Sequence, residues 1–138
     1  MSSIREQIVA RMATVLTGTL PNAIPVYRSR ADAFARNEVP AVVVKPSEDD
    51  AQPFTDLQEV VHFNVSLEVI VRGDVWDSLA DPIIVAAHAL LLNDTALAAL
   101  CSKLRRSAAK WEDHEADQTA GVLVQGYSLQ YLSFTNQL

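Results

Sequence analysis

The sequence predicts an α+β fold: a mostly antiparallel β-sheet with an N-terminal helix and a central helical segment packed on one face. Three observations predict it. Val61, Phe63, Val65, Leu67, Val69 and Val71 alternate with His62, Asn64, Ser66, Glu68, Ile70 and Arg72, a period of two that buries one face and leaves the other polar. Such alternation suits an antiparallel sheet and disfavours a parallel, doubly wound one. Ile4, Ile8, Met12, Val15 and Leu16 recur at spacings of three and four, the stripe of an amphipathic helix. Residues 121–134 form a second long β-prone run.

The first helix is expected near residues 3–17, capped by Ser2 or Ser3 and ended by Gly18 and Pro21. Ile24 to Tyr27 reads as a short strand. Pro40 to Val44 reads as a strand of about five residues, closed by Pro46. Residues 47–57 have no periodicity and carry Glu48, Asp49, Asp50 and Asp56, so they read as an exposed, mobile loop with Pro53 and Phe54 at its tip. After the long strand, Gly73-Asp74 marks a stop. Residues 75–92 are helical, with an interruption expected at Asp81-Pro82 and a more buried second segment through Ile83, Ile84, Ala87, Leu90 and Leu91. Thr95 to Leu100 adds a turn or two of helix. Lys103 to Trp111 is charged on both faces and reads as an edge strand. Residues 112–118 make an acidic turn, and Gly126 in the closing strand suggests a bulge.

At 138 residues, 49% hydrophobic and 20% charged, the chain fits one globular domain and needs no disulfide or metal staple. The start lacks a basic segment followed by an apolar run, and no apolar stretch approaches the roughly 20 residues of a membrane span. A soluble, intracellular chain with no membrane partner is the expectation. The net charge of −6 is unevenly spread. Residues 46–81 hold nine acids against Arg72 alone, whereas residues 82–111 set Lys103, Arg105, Arg106 and Lys110 against Asp94. An acidic whole argues against a dedicated nucleic-acid binder. Blocks of opposite sign suit a protein that meets copies of itself or a partner through complementary patches.

Four glycines, at 18, 73, 121 and 126, build no phosphate-cradling loop, and there is no Gly-x-Ser-x-Gly elbow. Cys101 is the sole cysteine and reads as a small core hydrophobe rather than a nucleophile. His88 lies on the apolar central helix and reads as a packed histidine. His62 shares a strand face with Glu68. His114 stands among Glu112, Asp113, Glu115 and Asp117, a set able to hold a divalent cation, although solvated acidic turns are commoner. Nothing here makes a case for an enzyme or a cofactor.

The helix Ile4–Leu16, the strand Pro40–Lys45 with its acidic sequel and the long strand Glu59–Arg72 occur in that order, followed by the helix Asp77–Asn93 and a closing strand ending Tyr127-Ser-Leu-Gln-Tyr131. Together they resemble the phage tail terminator (tail completion) family over nearly the whole chain. The resemblance implies a structural virion protein without catalytic residues. It also implies a homo-oligomer, commonly a hexameric ring, assembled in the host cytoplasm, which caps the tail tube protein and meets the head–tail connector. On that basis Arg28, Arg30, Arg36, Asp49, Asp50, Phe54, His62, Glu68, Arg105 and Arg106 are the candidate subunit or tube interface, with at most weak, non-specific DNA contact in an acidic lumen. A neck or head–tail joining protein is the nearest alternative. A nucleic-acid-binding domain using Arg28, Arg30, Arg36, Arg105 and Arg106, or a ligand-binding domain with a pocket beside His88 or Cys101, would belong to other classes.

Overall fold

A computed structural model describes residues 2–30, 34, 38–113 and 120–138. Helix α1 (Ile4–Leu16) begins where the Ser3 hydroxyl accepts the Glu6 backbone N–H at 3.2 Å, a side-chain cap for one of the helix's free donors. Its buried face is Ile8, Val9, Met12 and Leu16. Gly18, at φ +78°, turns the chain away in a conformation that favours glycine.

The sheet has five strands in the order β1-β2-β3-β5-β4, and every pairing is antiparallel except that of β1 with β2. Strand β1 is Val26–Arg28. The strand expected at Ile24–Tyr27 thus begins two residues later and ends one later: Ile24 is buried in the core, and the contact with β2 opens with the Val42 N–H donating to the Pro25 carbonyl.

Strand β2 (Ala41–Pro53) overturns two expectations. Pro46 does not end it, and residues 47–53 are not a loop. The register shifts between Pro46 and Glu48, leaving Ser47 as the extra residue, and its hydroxyl donates to the Asn64 carbonyl at 3.0 Å. A bulge is where a ladder tolerates proline's missing N–H. Beyond it, Glu48 to Pro53 pair with Asn64 to Glu59.

Strand β3 (Gln58–Arg72) buries Val61, Phe63, Val65, Leu67, Val69 and Val71, as the alternation predicts. His62 on the opposite face is exposed, and Asn64, Ser66 and Glu68 are half-buried. Near the other end Val43 and Ile70 are buried on that face too, so it is not wet throughout.

Helix α2 (Trp76–Leu92) runs unbroken through Pro82, against the expected interruption. Pro82 and Ser78, whose carbonyl loses its N–H donor, both lie on the exposed side, where solvent can satisfy that carbonyl in place of the helix ladder. The buried stripe is Ala80, Ile83, Ala87 and Leu91, with Ile84 and Leu90 half-buried. Helix α3 (Thr95–Leu100) is capped by Asp94, whose carboxylate accepts the Leu97 N–H at 2.8 Å.

Strand β4 (Ser102–Asp113) is an outer strand, as expected, and absorbs Glu112 and Asp113 from the predicted acidic turn; the rest of that turn, including His114, lies outside the described residues. Strand β5 (Ala120–Phe134) pairs with β3 along its whole length. Gly126 is not a bulge. The irregularities fall on β4, between Ser102 and Arg105 and between Arg106 and Ala109. A Cβ at Gly126 would stand 2.5 Å from the Ser107 hydroxyl, so glycine makes room for the neighbour's bulge.

All three helices pack around one face of the sheet, over a core of Val42, Val44, Phe63, Leu67, Tyr127 and Leu129 with their neighbours. Arg11 of α1 holds Asp94 through two hydrogen bonds of 2.8 and 2.7 Å, tying the first helix to the third. That hydrogen-bonded guanidinium, helped by the Leu97 N–H, lowers the Asp94 carboxyl to about 2. The folded value lies below the unfolded one, so this pair stabilises the fold above roughly pH 4 and its contribution disappears as pH falls through about 2. The variant Asp94→Asn, which keeps a capping oxygen, is expected to melt below the wild type at neutral pH. Thermal melts should show the gap narrowing from about pH 4 towards pH 2; a gap that stays constant there would contradict this account.

Candidate functional site

The sheet's register lays its residues out in rows that cross four strands. One row reads Glu48, Asn64, Ser128, Arg105, and the next reads Asp50, His62, Gln130, Ser102. Both lie on the face away from the helices. Each row starts at an acid on β2, and one ends at an arginine on β4.

The acidic end is a free strand edge. Strand β1 accompanies β2 only over Val42–Val44, so among the described residues Ser47 to Pro53 have β3 on one side and no strand on the other. The segment is nevertheless tied to the core. Asp49 lies on the helix side opposite Phe63, accepts the Tyr131 hydroxyl at 2.7 Å and sits 3.7 Å from the Arg5 guanidinium. Burial first, and then this carboxylate, push the Tyr131 hydroxyl well above the ordinary phenol range. The Tyr131 ring meets Phe63 edge-on at 6.3 Å.

The basic end is the outer side of β4. Lys103, Arg105, Arg106 and Lys110 are exposed there, and none forms an ion pair with a described residue. Arg106 falls on the helix side, opposite Tyr127. An open groove of about 1120 Å³ lies between α2 and β4, with Leu123 and Tyr127 on its floor and Trp111 exposed at its side. Burial raises the Tyr127 hydroxyl to about 12, and the Arg106 charge partly offsets that. His88 Nδ1 is 3.0 Å from this hydroxyl, and the two rings stack at 5.8 Å. His88 is thus the packed histidine that its place on an apolar helix predicts. Cys101 is half-buried, its thiol donates to the Leu97 carbonyl, and burial raises its pKa. A raised pKa disfavours the thiolate that nucleophilic chemistry requires.

A third surface is the turn joining β2 to β3. The Thr55 hydroxyl accepts the Leu57 and Gln58 N–H groups, and the Thr135 N–H donates to the Leu57 carbonyl, which brings the end of β5 alongside. Phe54 is 58% exposed and does not fold back onto its own domain. Leu57 is 69% exposed, and Leu132 and Phe134 stand exposed on the same end of the sheet. Four large apolar side chains therefore share one end of an acidic molecule.

The candidate arginines Arg28 and Arg30 are held by acids of their own chain. Arg28 grips Glu6 through bonds of 2.8 and 3.0 Å and lowers its pKa. Arg30 grips Glu38 at 2.8 and 3.1 Å and lies 4.0 Å over the Phe34 ring. Arg36 lies outside the described residues. Glu68 is partnered by Lys45 at 3.3 Å. Of the candidate residues, Asp50 and His62 share one row and Arg105 ends the adjacent row on the same face, Asp49 lies on the helix side, and Phe54 stands at the end of the sheet. Leu57, Leu132, Phe134 and the Tyr131–Asp49 tie were missed. Leu132 and Phe134 fall on the polar parity of their strand, and that departure was the available signal.

Among the described residues no three His, Cys, Asp or Glu side chains group to hold a metal ion, and no helix is long and apolar enough to cross a membrane. No protein-family model matches the sequence, and no curated protein matches it.

Removing the Tyr131 hydroxyl leaves the half-buried Asp49 without its shortest bond. Tyr131→Phe is expected to lose roughly 1–2 kcal/mol of stability in urea titration, as for a hydrogen bond to a partly shielded charge. Asp49→Asn, which still accepts from the phenol, should lose less.

Proposed function

We propose that this chain is a structural virion protein of the tail terminator kind, whose copies form a ring that caps a phage tail tube, ends its polymerisation and offers a surface to the head connector. The observation that carries the reading is the apolar end made by Phe54, Leu57, Leu132 and Phe134. Large apolar side chains exposed together mark a place where another protein seats, and these four stand where the strands end. The order of elements, the mostly antiparallel sheet and the uncovered half of its polar face support the same reading. So does the surface chemistry: charged strand edges and an apolar end are features of assembly rather than of catalysis. A neck or head–tail joining protein would use the same surfaces with a different partner.

The exposed cations of β4 favour a second reading, a nucleic-acid surface, against which stand the net charge of −6 and the acids of the other edge. Native mass spectrometry and negative-stain microscopy of the purified chain, alone and with its tail tubes, separate the two. The expected outcome is a closed ring that binds tube ends, with DNA affinity no tighter than roughly 10⁻⁴–10⁻⁶ M at physiological salt. Phe54→Ser with Leu57→Ser should keep the ring and weaken tube binding. A chain that stays monomeric alone and beside tubes, or that binds DNA at nanomolar concentration, sinks the reading.

A further inference from the structure

We infer that copies of this chain join edge to edge, the outer side of β4 over Ser102 to Arg106 in one copy pairing antiparallel with the acidic half of β2 in the next. The inference rests on the assembly reading above and names its contact. Among the described residues both strands have one side unpaired by any strand. A free edge is a standing template for another strand.

Charge selects the partner. The β2 edge carries Glu48 and Asp50, and the β4 edge carries Lys103 and Arg105, none of them in an ion pair with a described residue. Two β4 edges, or two β2 edges, would set like charges opposite one another, which opposes pairing. Unlike edges attract. The same charges that keep identical edges apart therefore admit the heterologous contact.

Register and direction agree with charge. Glu48 and Arg105 end one row of the sheet, so a second copy that continues the row places its Glu48 beside Arg105 with no shift along the strands. A heterologous contact that rotates each copy without translating it closes into a ring instead of a filament. Strands β2 and β5 run one way, and β3 and β4 the other. With all copies the same way up, β4 meets the next β2 antiparallel, the pairing with the better-aligned hydrogen bonds. Pro46 and Pro53, which have no N–H to donate, bound the β2 edge. In that register Ser47 to Asp50 face Arg106 to Ser102, a pairing length of roughly 14 Å.

The test is a charge exchange. One variant carries Lys103→Glu with Arg105→Glu, the other Glu48→Lys with Asp50→Lys, and circular dichroism checks that each folds. Either alone sets like charges across every contact, which should weaken it about a hundredfold or more and leave monomers in native mass spectrometry. Mixed in equal amounts, the two restore opposite charges at every contact if they alternate, and the ring should return with both masses in it. Hydrogen exchange on the unmodified chain gives a second readout: amides of Ser47 to Asp50 and of Ser102 to Arg106 should slow about tenfold or more on assembly. A ring that forms from either variant alone, a mixture of folded variants that stays monomeric, or edge amides that exchange as fast in the ring as in the monomer overturns the edge contact and leaves the ring reading standing. An unmodified chain that never assembles overturns both.

Discussion

The antiparallel ladder between β3 and β5 is the constraint on which the rest depends. It runs from Gln58 opposite Phe134 to Arg72 opposite Ala120 without an irregularity. Its alternation sets Phe63 beside Leu129, Val65 beside Tyr127 and Val69 beside Leu123 on the face the helices cover. A slip of one residue would turn that whole set to the other side, so burial of one face fixes the register. Once the register is fixed, so are the rows that run outward to β2 and β4. The helices need only a continuous apolar surface to cover, and α1 and α2 find it with the stripes Ile8–Met12–Leu16 and Ile83–Ala87–Leu91.

The same ladder explains why the acidic segment is ordered. Residues 47–53 have no apolar face of their own, and isolated they would not hold a strand. They hold one because β3 is longer than the apolar part of β2 and offers its remaining backbone groups to whatever follows the bulge. The Tyr131–Asp49 bond then fixes the segment from the helix side. An edge already ordered loses little conformational entropy on meeting a partner, whereas a mobile loop would lose much.

What was legible in the sequence was whatever a buried face writes into it. The β3 alternation, the α1 stripe, the closing strand and the charged outer strand all carry a period or a bias that burial or exposure imposes, and the α+β sheet follows from them. The illegible parts are those decided by a neighbour. Pro46 and Pro82 read as stops because proline lacks an N–H, yet one sits at a bulge and the other on an exposed helix face, where the carbonyl left without that donor is on the solvent side. The bulges of the β4–β5 pairing fell on β4 while Gly126, which accommodates one of them, lies across on β5. Arg28 and Arg30 looked like a basic surface, and only the fold shows Glu6 and Glu38 beside them.

In the proposed assembly, edges and end act in perpendicular directions, the unlike edges of β2 and β4 across the strands and the apolar end along them. In the arrangement proposed, every copy stands the same way up, so Phe54, Leu57, Leu132 and Phe134 of all copies come to one rim. A patch too small to hold a partner firmly by itself becomes one of several around an annulus, and binding at one raises the effective concentration at the rest. Affinity for an annular partner then follows from ring closure rather than from any single subunit. On the proposed arrangement a lone subunit would bind weakly, and the assembled rim strongly only towards a partner with matching symmetry.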